Sequence, residues 1–309
     1  MEIRQVQYFL CLYEERSVTR AARRLNIVQP ALSMQIARLE NELGQQLFLR
    51  TKRGVEPTAE GRQMYRLFLP ILGDFTRARE QMMNSSGELT GQVRVGTVAS
   101  ISQGVLVGAL LEFSAAHPKV GLMLTDGYSG GLADAVAGTQ LDAAITNKPR
   151  RSLSLNTEVI VEEDLVLITG LSHPALPPEV PFRHLSSLRM ALPTRQHGLR
   201  LIIENFAQAE EVDLSPAVEI DSIGTILRLV HESDFATLLP RIAVRRLLRR
   251  PAYRCHAIVS PVLRRQLVCV THPRNPVSVA TSAFLAVLTR HIREAAEGAT
   301  EAIAATGAG

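Results

Sequence analysis

A chain of 309 residues exceeds what one compact core ordinarily holds, so two or three folding units are expected. Hydrophobic residues make up 46% and charged residues 21%, with no Trp and no low-complexity block, which excludes a disordered or fibrous chain. The formal net charge is only +4, so where the charges fall matters more than their total.

The opening MEIRQVQYFLCLYEERSVTR surrounds a short apolar run with Glu2, Glu14 and Glu15, unlike the basic start and longer apolar stretch of a secretory signal. No window approaches the roughly 20 apolar residues of a bilayer-spanning helix. Cys11, Cys255 and Cys269 are far apart and odd in number. A cytoplasmic protein without a membrane partner is expected.

Val6, Phe9, Leu10 and Tyr13 recur at helical spacing and predict a first helix that stops at Arg16-Ser17. Ser17 or Thr19 can cap the next, whose Ala21, Ala22 and Leu25 form a narrow face for close helix approach. After the turn NIV, QPALSMQIARLENELG has Pro30 in a first-turn position and Gly44 as a C-terminal stop. Leu32, Ile36, Leu39 and Leu43 fall on one stripe of this third helix. The opposite face then carries Pro30, Met34, Ala37, Arg38 and Asn41, flanked by Gln29, Ser33 and Gln35. QLFLRTKRGVEPTAEG reads as a short strand, a basic turn and a return, which is a β-wing.

Residues 18 to 53 hold Arg20, Arg23, Arg24, Arg38, Arg50, Lys52 and Arg53 against Glu40 and Glu42. The excess charge is therefore concentrated where a helix and a wing could meet a polyanion. A solvated basic face is the plainer alternative. The run from Ser17 to Gly61, SVTRAARRLNIVQPALSMQIARLENELGQQLFLRTKRGVEPTAEG, resembles the DNA-binding module of LysR-type transcriptional regulators in residue type, order and spacing. The resemblance implies that Gln29, Pro30, Ser33 and Gln35 contact double-stranded DNA together with Arg50 and Arg53 of the wing; Met34 and Arg38 share that face. Many members carry Arg where this chain has Met34, which offers apolar contact, for instance to a thymine methyl, and no bidentate bond to guanine.

Thr58 can cap a long helix in which Tyr65, Phe68, Leu72, Phe75 and Met82 alternate at three- and four-residue spacing, a seam for self-association interrupted by Pro70 and Gly73. A homodimer follows, with packing on its own domain as the alternative. The resemblance implies assembly to a homotetramer, with RNA polymerase as a further partner. MNSSGELTG reads as a hinge.

From Gln92 onward strands and helices alternate: VRVGTV, VLVGALLEFSAAHP, VGLMLTD, LADAVAGTQ, LDAAIT, then DLVLITG, MALP, AVEI and FATLLP with intervening helices. This order predicts a mostly parallel sheet with ligands at the strand ends. The fold class is thus multidomain α+β: a winged helix-turn-helix over 1–58, a linker helix and hinge over 59–90, and an effector domain over 91–309. By the resemblance, this last part is an α/β two-lobed, periplasmic-binding-protein-like domain, with lobe I at about 91–162 and 267–297 and lobe II at about 163–266.

Candidate effector contacts are Ser100, Ser102 and Gln103 after the first strand, Tyr128 and Ser129 after the second, Asn147 after the third, and Thr194, Arg195, Gln196 and His197 after MALP. Hydroxyls beside helix starts, with positive charge from Arg195, His197 and Arg200, point to a small carboxylate. PTRQHGLR resembles a subset of the family linked to nitrogen or aromatic metabolism. At VHESDFATLLP the family pattern of small residues is broken by Glu232-Ser233-Asp234.

Gly127-Tyr128-Ser129-Gly130-Gly131 matches the nucleophile elbow of serine hydrolases and makes catalysis the competing reading. Only one or two strands precede it, and no HGG-type segment lies upstream. No HExxH or CxxC occurs, and no cofactor or metal is expected. Arg241, Arg245, Arg246, Arg249, Arg250 and Arg254 read as a solvated helix face or a second nucleic-acid surface. Replacement Met34→Arg is expected to change the site recovered in an unbiased oligonucleotide selection; an unchanged site would refute apolar readout at this position.

Overall fold

The computed structural model describes residues 1–51, 54–83, 88–149, 154–245 and 252–306. Lys52 and Arg53 of the wing turn, residues 84–87 of the proposed hinge, and Arg246, Arg249 and Arg250 lie outside the described residues, as do the side chains of Arg50 and Met82. The chain divides into two compact units, one mainly Met1–Ser86 and the other Gly87–Ala137 with Leu141–Gly309.

The first unit packs α1 (Ile3–Glu15), α2 (Val18–Arg24) and α3 (Gln29–Leu43) around Phe9, Leu10, Leu12, Ala21, Ala22, Leu32, Ile36 and Leu39. Ser17, not Thr19, caps α2, its Oγ accepting from Arg20 N at 3.4 Å. Pro30 sits in the first turn of α3, and Gly44 ends the helix at φ +63°. Leu43, placed on the inward stripe by its spacing, is instead 39% exposed, because the helix outruns its partners by that last turn.

Strands β1 (Phe48–Thr51) and β2 (Gly54–Pro57) pair antiparallel with Phe48 opposite Pro57 and Thr51 opposite Gly54. Thr58 caps α4 (Ala59–Met83), Gly61 N donating to its Oγ1 at 2.9 Å. The expected pairing seam of α4 is only partly free. Tyr65, Phe68 and Leu72 pack against the core of their own unit, and Tyr65 stacks on Tyr13 at 3.9 Å. The exposed stripe is Leu67, Ile71 and Phe75, four residues apart.

In the second unit one sheet runs in the order β4-β3-β5-β12-β6-β11-β7, and β10 also pairs with β6. Here β3 is Gly91–Thr97, β4 Val120–Asp126, β5 Ala143–Asn147, β6 Asn156–Gly170, β7 Glu179–Pro181, β10 Ala236–Pro240, β11 Tyr253–Val259 and β12 Arg264–Thr271. A short parallel pair, β8 (Ala191–Leu192) and β9 (Val218–Glu219), stands apart. The helices are α5 (Ala99–Ile101), α6 (Val107–Ala116), α7 (Ser129–Ala137), α8 (Gly198–Ala209), α9 (Ile223–Glu232), α10 (Arg241–Val244) and α11 (Val279–Thr306).

The sheet is mixed rather than mostly parallel. β3 runs parallel to β4 and β5, but β12 is antiparallel to β5 and β6, and β10 and β11 are antiparallel to β6. The reason is β6 itself. It begins at Asn156, well before DLVLITG, and each of its partners β10, β11 and β12 runs antiparallel to it.

Two cores result. Val93, Val95, Ile145, Ile160, Leu267, Phe284 and Leu288 form one, and Leu165, Leu167, Phe182, Ile203, Val230, Leu238 and Leu263 the other. Contrary to the sequence expectation, one segment, Ala99–Ala116, is long and apolar enough by length and composition to cross a bilayer. A π-turn at Ser102–Leu106 interrupts it, and its Ile101, Val105, Ala109 and Phe113 are buried in the first of these cores.

His256 on β11 is buried, with Thr169 Oγ1 at 3.1 Å from its Nε2 and Pro177 O at 2.8 Å from its Nδ1. Burial holds its pKa below the ordinary value of 6.5. Below that value the unfolded chain binds this proton more readily than the folded one, so stability should fall as pH drops through and beneath 6.5. Melting curves between about pH 7.5 and 5.5 should be flatter for His256→Asn than for the unaltered chain; parallel curves would contradict this.

Candidate nucleic-acid interface and effector cavity

In the first unit, Gln29, Pro30, Met34, Ala37, Arg38 and Asn41 are exposed along α3, with Met34 at 50%; Ser33 and Gln35 are half-buried. Gln35 Oε1 accepts from Gln5 Nε2 at 3.4 Å, which draws it partly toward α1. Not all the counted basic charge is free. Arg20 pairs with Glu15, and Arg24 with Glu14 and Glu15, acids that lie just upstream of the basic segment. Among the described residues Arg23 and Arg38 have no ion-pair partner, so they carry the described positive charge of this face.

Two backbone devices hold the wing, and neither was apparent from the sequence. Glu40 on α3 accepts from Leu47 N at 2.7 Å and Phe48 N at 3.1 Å through Oε1, tying β1 to the helix. Arg16 O, at the left-handed end of α1, accepts from Val55 N at 3.1 Å. Gly54 lets β2 approach that carbonyl. Its φ is +127°, and a Cβ there would lie 2.7 Å from Arg16 O.

In the second unit a cavity of about 380 Å³ is lined by Ser129, Asn147, Lys148, Gln196, Gly198 and Leu201 among others. Ser129, Asn147 and Gly198 also wall a recess of only about 10 Å³, together with Ser100, Tyr128, His197 and Arg265. Of the expected contacts, Ser129, Asn147 and Gln196 line the cavity, and Ser100, Tyr128 and His197 stand around the recess that shares Ser129 and Asn147 with it. Four do neither. Ser102 is turned to Asp126 and to Thr97 Oγ1, 2.9 Å away; Gln103 is exposed off the cavity; Thr194 bonds Asp221; and Arg195 pairs with Glu204 at 3.1 Å.

The charge expected from Arg195, His197 and Arg200 is likewise spent elsewhere. Arg200 is buried, donating to Pro193 O at 3.0 Å and Glu219 Oε1 at 3.2 Å, with Nε 3.0 Å from Glu204 Oε1 in a charge contact without hydrogen-bond alignment. His197 Nε2 is 2.8 Å from Asp221 O, and its ring meets Tyr128 edge-on at 4.9 Å. The Thr194 hydroxyl and then Tyr128 hold the Asp221 carboxyl below its usual range, and the same bond raises the Tyr128 phenol.

Two helix starts supply what the arginines do not. Ser129 and Gly130 of α7 and Gly198 of α8 border the cavity, and neither helix has an acid in its first turn. Gly198 is a close approach, since a Cβ would lie 2.9 Å from Ser129 Oγ and 3.0 Å from Asn147 Nδ2. Behind them Arg265 and Glu163 form a buried ion pair, a feature hidden in the apolar patterning of β6 and β12. Its one sequence trace is the pair of charged runs Glu162-Glu163-Asp164 and Arg264-Arg265 within strands.

Ser129 accepts from Asn147 Nδ2 at 3.3 Å, and among the described residues no histidine or carboxylate is hydrogen-bonded to it, His197 Nε2 being turned to Asp221 O, so Gly127–Gly131 is a helix start and not a nucleophile elbow. Glu232 pairs with Arg228 and Asp234 with Arg189, and neither these residues nor Ser233 line the cavity. Of the arginine cluster, the described members do not share one helix face, since Arg241 lies on α10, which ends at Val244, and Arg254 lies on β11, donating to His173 O at 3.0 Å. Burial pushes the Cys255 thiol up to about 11 and Cys269 to about 12, so neither is a reactive thiolate at neutral pH.

A helix-turn-helix with a wing, joined to a two-lobed domain around a polar-floored cavity, defines a ligand-sensing DNA-binding regulator. The chain belongs to the LysR family of transcriptional regulators: residues 86–293 match the LysR substrate binding domain and residues 3–62 the bacterial regulatory helix-turn-helix protein, lysR family. It is 29% identical over 248 residues to the nitrogen assimilation regulatory protein nac of Escherichia coli (strain K12), covering 80% of this chain and 81% of that protein. Over 291 residues it is 28% identical to the HTH-type transcriptional regulator CzcR of Bacillus cereus, covering 94% and 98%.

Among solved structures, a full-length OxyR variant from Pseudomonas aeruginosa superimposes with TM-score 0.76 at 22% identity, over 96% of this chain and 97% of that one. CbnR complexed with its target DNA gives 0.68 at 20%, over 96% and 100%. The chain is thus a LysR-type DNA-binding transcriptional regulator with an effector-binding domain, and not an enzyme.

Gly54→Ala should cost about 1–3 kcal/mol through strain and the contact with Arg16 O. DNA affinity, measured by fluorescence anisotropy, should fall by at least about tenfold while the melting of the effector domain stays unchanged.

Proposed function

We propose that α3 and the wing grip a promoter, and that a small carboxylate bound in the 380 Å³ cavity adjusts that grip. The working division is 1–58 for DNA, 59–90 for linkage and 91–309 for sensing. Gln29, Pro30, Ser33, Met34, Gln35 and Arg38 would meet DNA with Arg50 and Arg53 of the wing, α3 entering the major groove.

The observation that carries the carboxylate is the convergence of two acid-free helix starts on one cavity, in place of the arginines that the sequence suggested. Similarity to a nitrogen assimilation regulatory protein supports a regulator answering to a metabolic signal. The exposed stripe Leu67, Ile71 and Phe75 supports pairing of α4 with a second copy as a homodimer, and two such dimers would make a tetramer. RNA polymerase would be the partner at the promoter and the cytoplasm the place of action.

The test is binding of the full chain to genomic promoter fragments between 50 and 200 mM salt, a range over which phosphate contacts weaken affinity steeply. Arg38→Ala should reduce the slope of log affinity against log salt by about 0.9. Asn147→Leu should leave DNA affinity intact and abolish its response to the acid that the unaltered chain answers to. Absence of any salt-sensitive promoter preference would overturn the reading.

A further inference from the structure

We infer that Arg265 sets the hydrogen-bond polarity of the cavity floor, so that the site admits acceptor-only groups such as a carboxylate and rejects the matching amide. The inference rests on the carboxylate reading above and names the positioning residue behind it.

A guanidinium donates and never accepts. The Asn147 atom 3.0 Å from Arg265 Nη1 is therefore Oδ1, which leaves Nδ2 to donate to Ser129 Oγ at 3.3 Å. What Asn147 has left for a ligand is its second Nδ2 proton. Ser100 Oγ accepts from Arg265 Nη2 at 2.9 Å and keeps its own O–H to give, as Ser129 does after accepting from Asn147. With the N–H groups at the starts of α7 and α8, donors predominate around Asn147 and Ser129, where each serine hydroxyl keeps one spare lone pair.

Glu163 cannot reverse this polarity. Its Oε1 receives Arg265 Nε at 2.8 Å and also Nη2, and its Oε2 receives Ile242 N at 3.0 Å. The side chains of Arg265 and Glu163 are only 1% and 2% exposed, so the pair is a fixed element of the wall. At the rim Asp134 and Lys148 are exposed and of opposite sign, and add no net charge. A carboxylate can accept from each floor donor. A primary amide of the same shape turns two N–H groups toward those donors and finds as acceptors only the spare serine lone pairs and the side-chain oxygens of Asp134, Gln196 and Asn205 elsewhere on the lining, so the acid is the better match, the kind of difference that separates close analogues strongly.

The test titrates the full chain with phenylacetate and hexanoate and with their primary amides, by calorimetry. Each acid is expected to bind at least about tenfold more tightly than its amide. Removing Arg265 alone would strand a buried carboxylate, so the variant is Glu163→Leu with Arg265→Met, an apolar pair in place of the ionic one. Once Asn147 is free to turn, the preference should shrink to within about twofold.

Should that variant not fold, Asn147→Asp, which still accepts from Arg265 but loses the Nδ2 donor, should weaken acid binding by at least about tenfold. A double variant that keeps the full preference, or an Asn147→Asp chain that binds the acids unchanged, overturns the role of Arg265 and leaves the carboxylate reading standing. Acids that fail to bind the unaltered chain, or amides that bind it equally well, overturn both.

Discussion

Fifteen residues of one strand, Asn156–Gly170, serve two hydrophobic cores at once. Ile160 packs with Val93, Leu267 and Phe284, whereas Leu165 to Ile168 pack with Ile203, Val230 and Leu238. Strand β12 accompanies β6 along the first part of this path, with a register shift between Leu267 and Val268. Glu163 lies between the two stretches, and the Arg265 side chain from β12 neutralises it there. A charge buried at that point is tolerable only with its partner, since losing one member costs about 3–5 kcal/mol. The same cation reaches Ser100 and Asn147, so the constraint that joins the cores also arranges the cavity.

The DNA-binding unit spends its charges in two ways. Glu14 and Glu15 meet Arg20 and Arg24 in exposed pairs, each worth at most about 1 kcal/mol. These pairs matter chiefly because they withdraw charge from the face, leaving Arg23 and Arg38 as its described free cations. Glu40 is used differently, as a double acceptor for the backbone of the wing strand. Position of the wing therefore depends on one carboxylate and one carbonyl, and on a glycine small enough to admit the latter.

In the cavity the decisive charges are partial ones. Arg195, His197 and Arg200 have acids or carbonyls as partners outside it, and Arg265 is compensated by Glu163. Besides the exposed and opposite charges of Asp134 and Lys148, what remains is oriented dipole: two helix starts and a set of donors whose direction is set by a neighbour. On the carboxylate reading, such an arrangement would hold a small anion chiefly through donors, and recognition would depend on hydrogen-bond direction more than on charge.

By itself the sequence determined the elements whose cues are local. The α1–α3 turns were legible because Ser17, Pro30 and Gly44 act within a few residues, and the wing because its strands flank one turn. The family was legible there for the same reason, as was the gathering of Ser129 and Asn147 at strand ends. Tertiary structure alone decided which face of α4 stays exposed, because Tyr65 finds Tyr13 some fifty positions away. It also decided the mixed sheet, whose pairings join Glu163 to Arg265 across 102 positions, and the fate of Arg195 and Arg200, whose acids lie on other turns or strands. Periodicity reports which side of an element is buried; it carries no information about which distant charge will be waiting there.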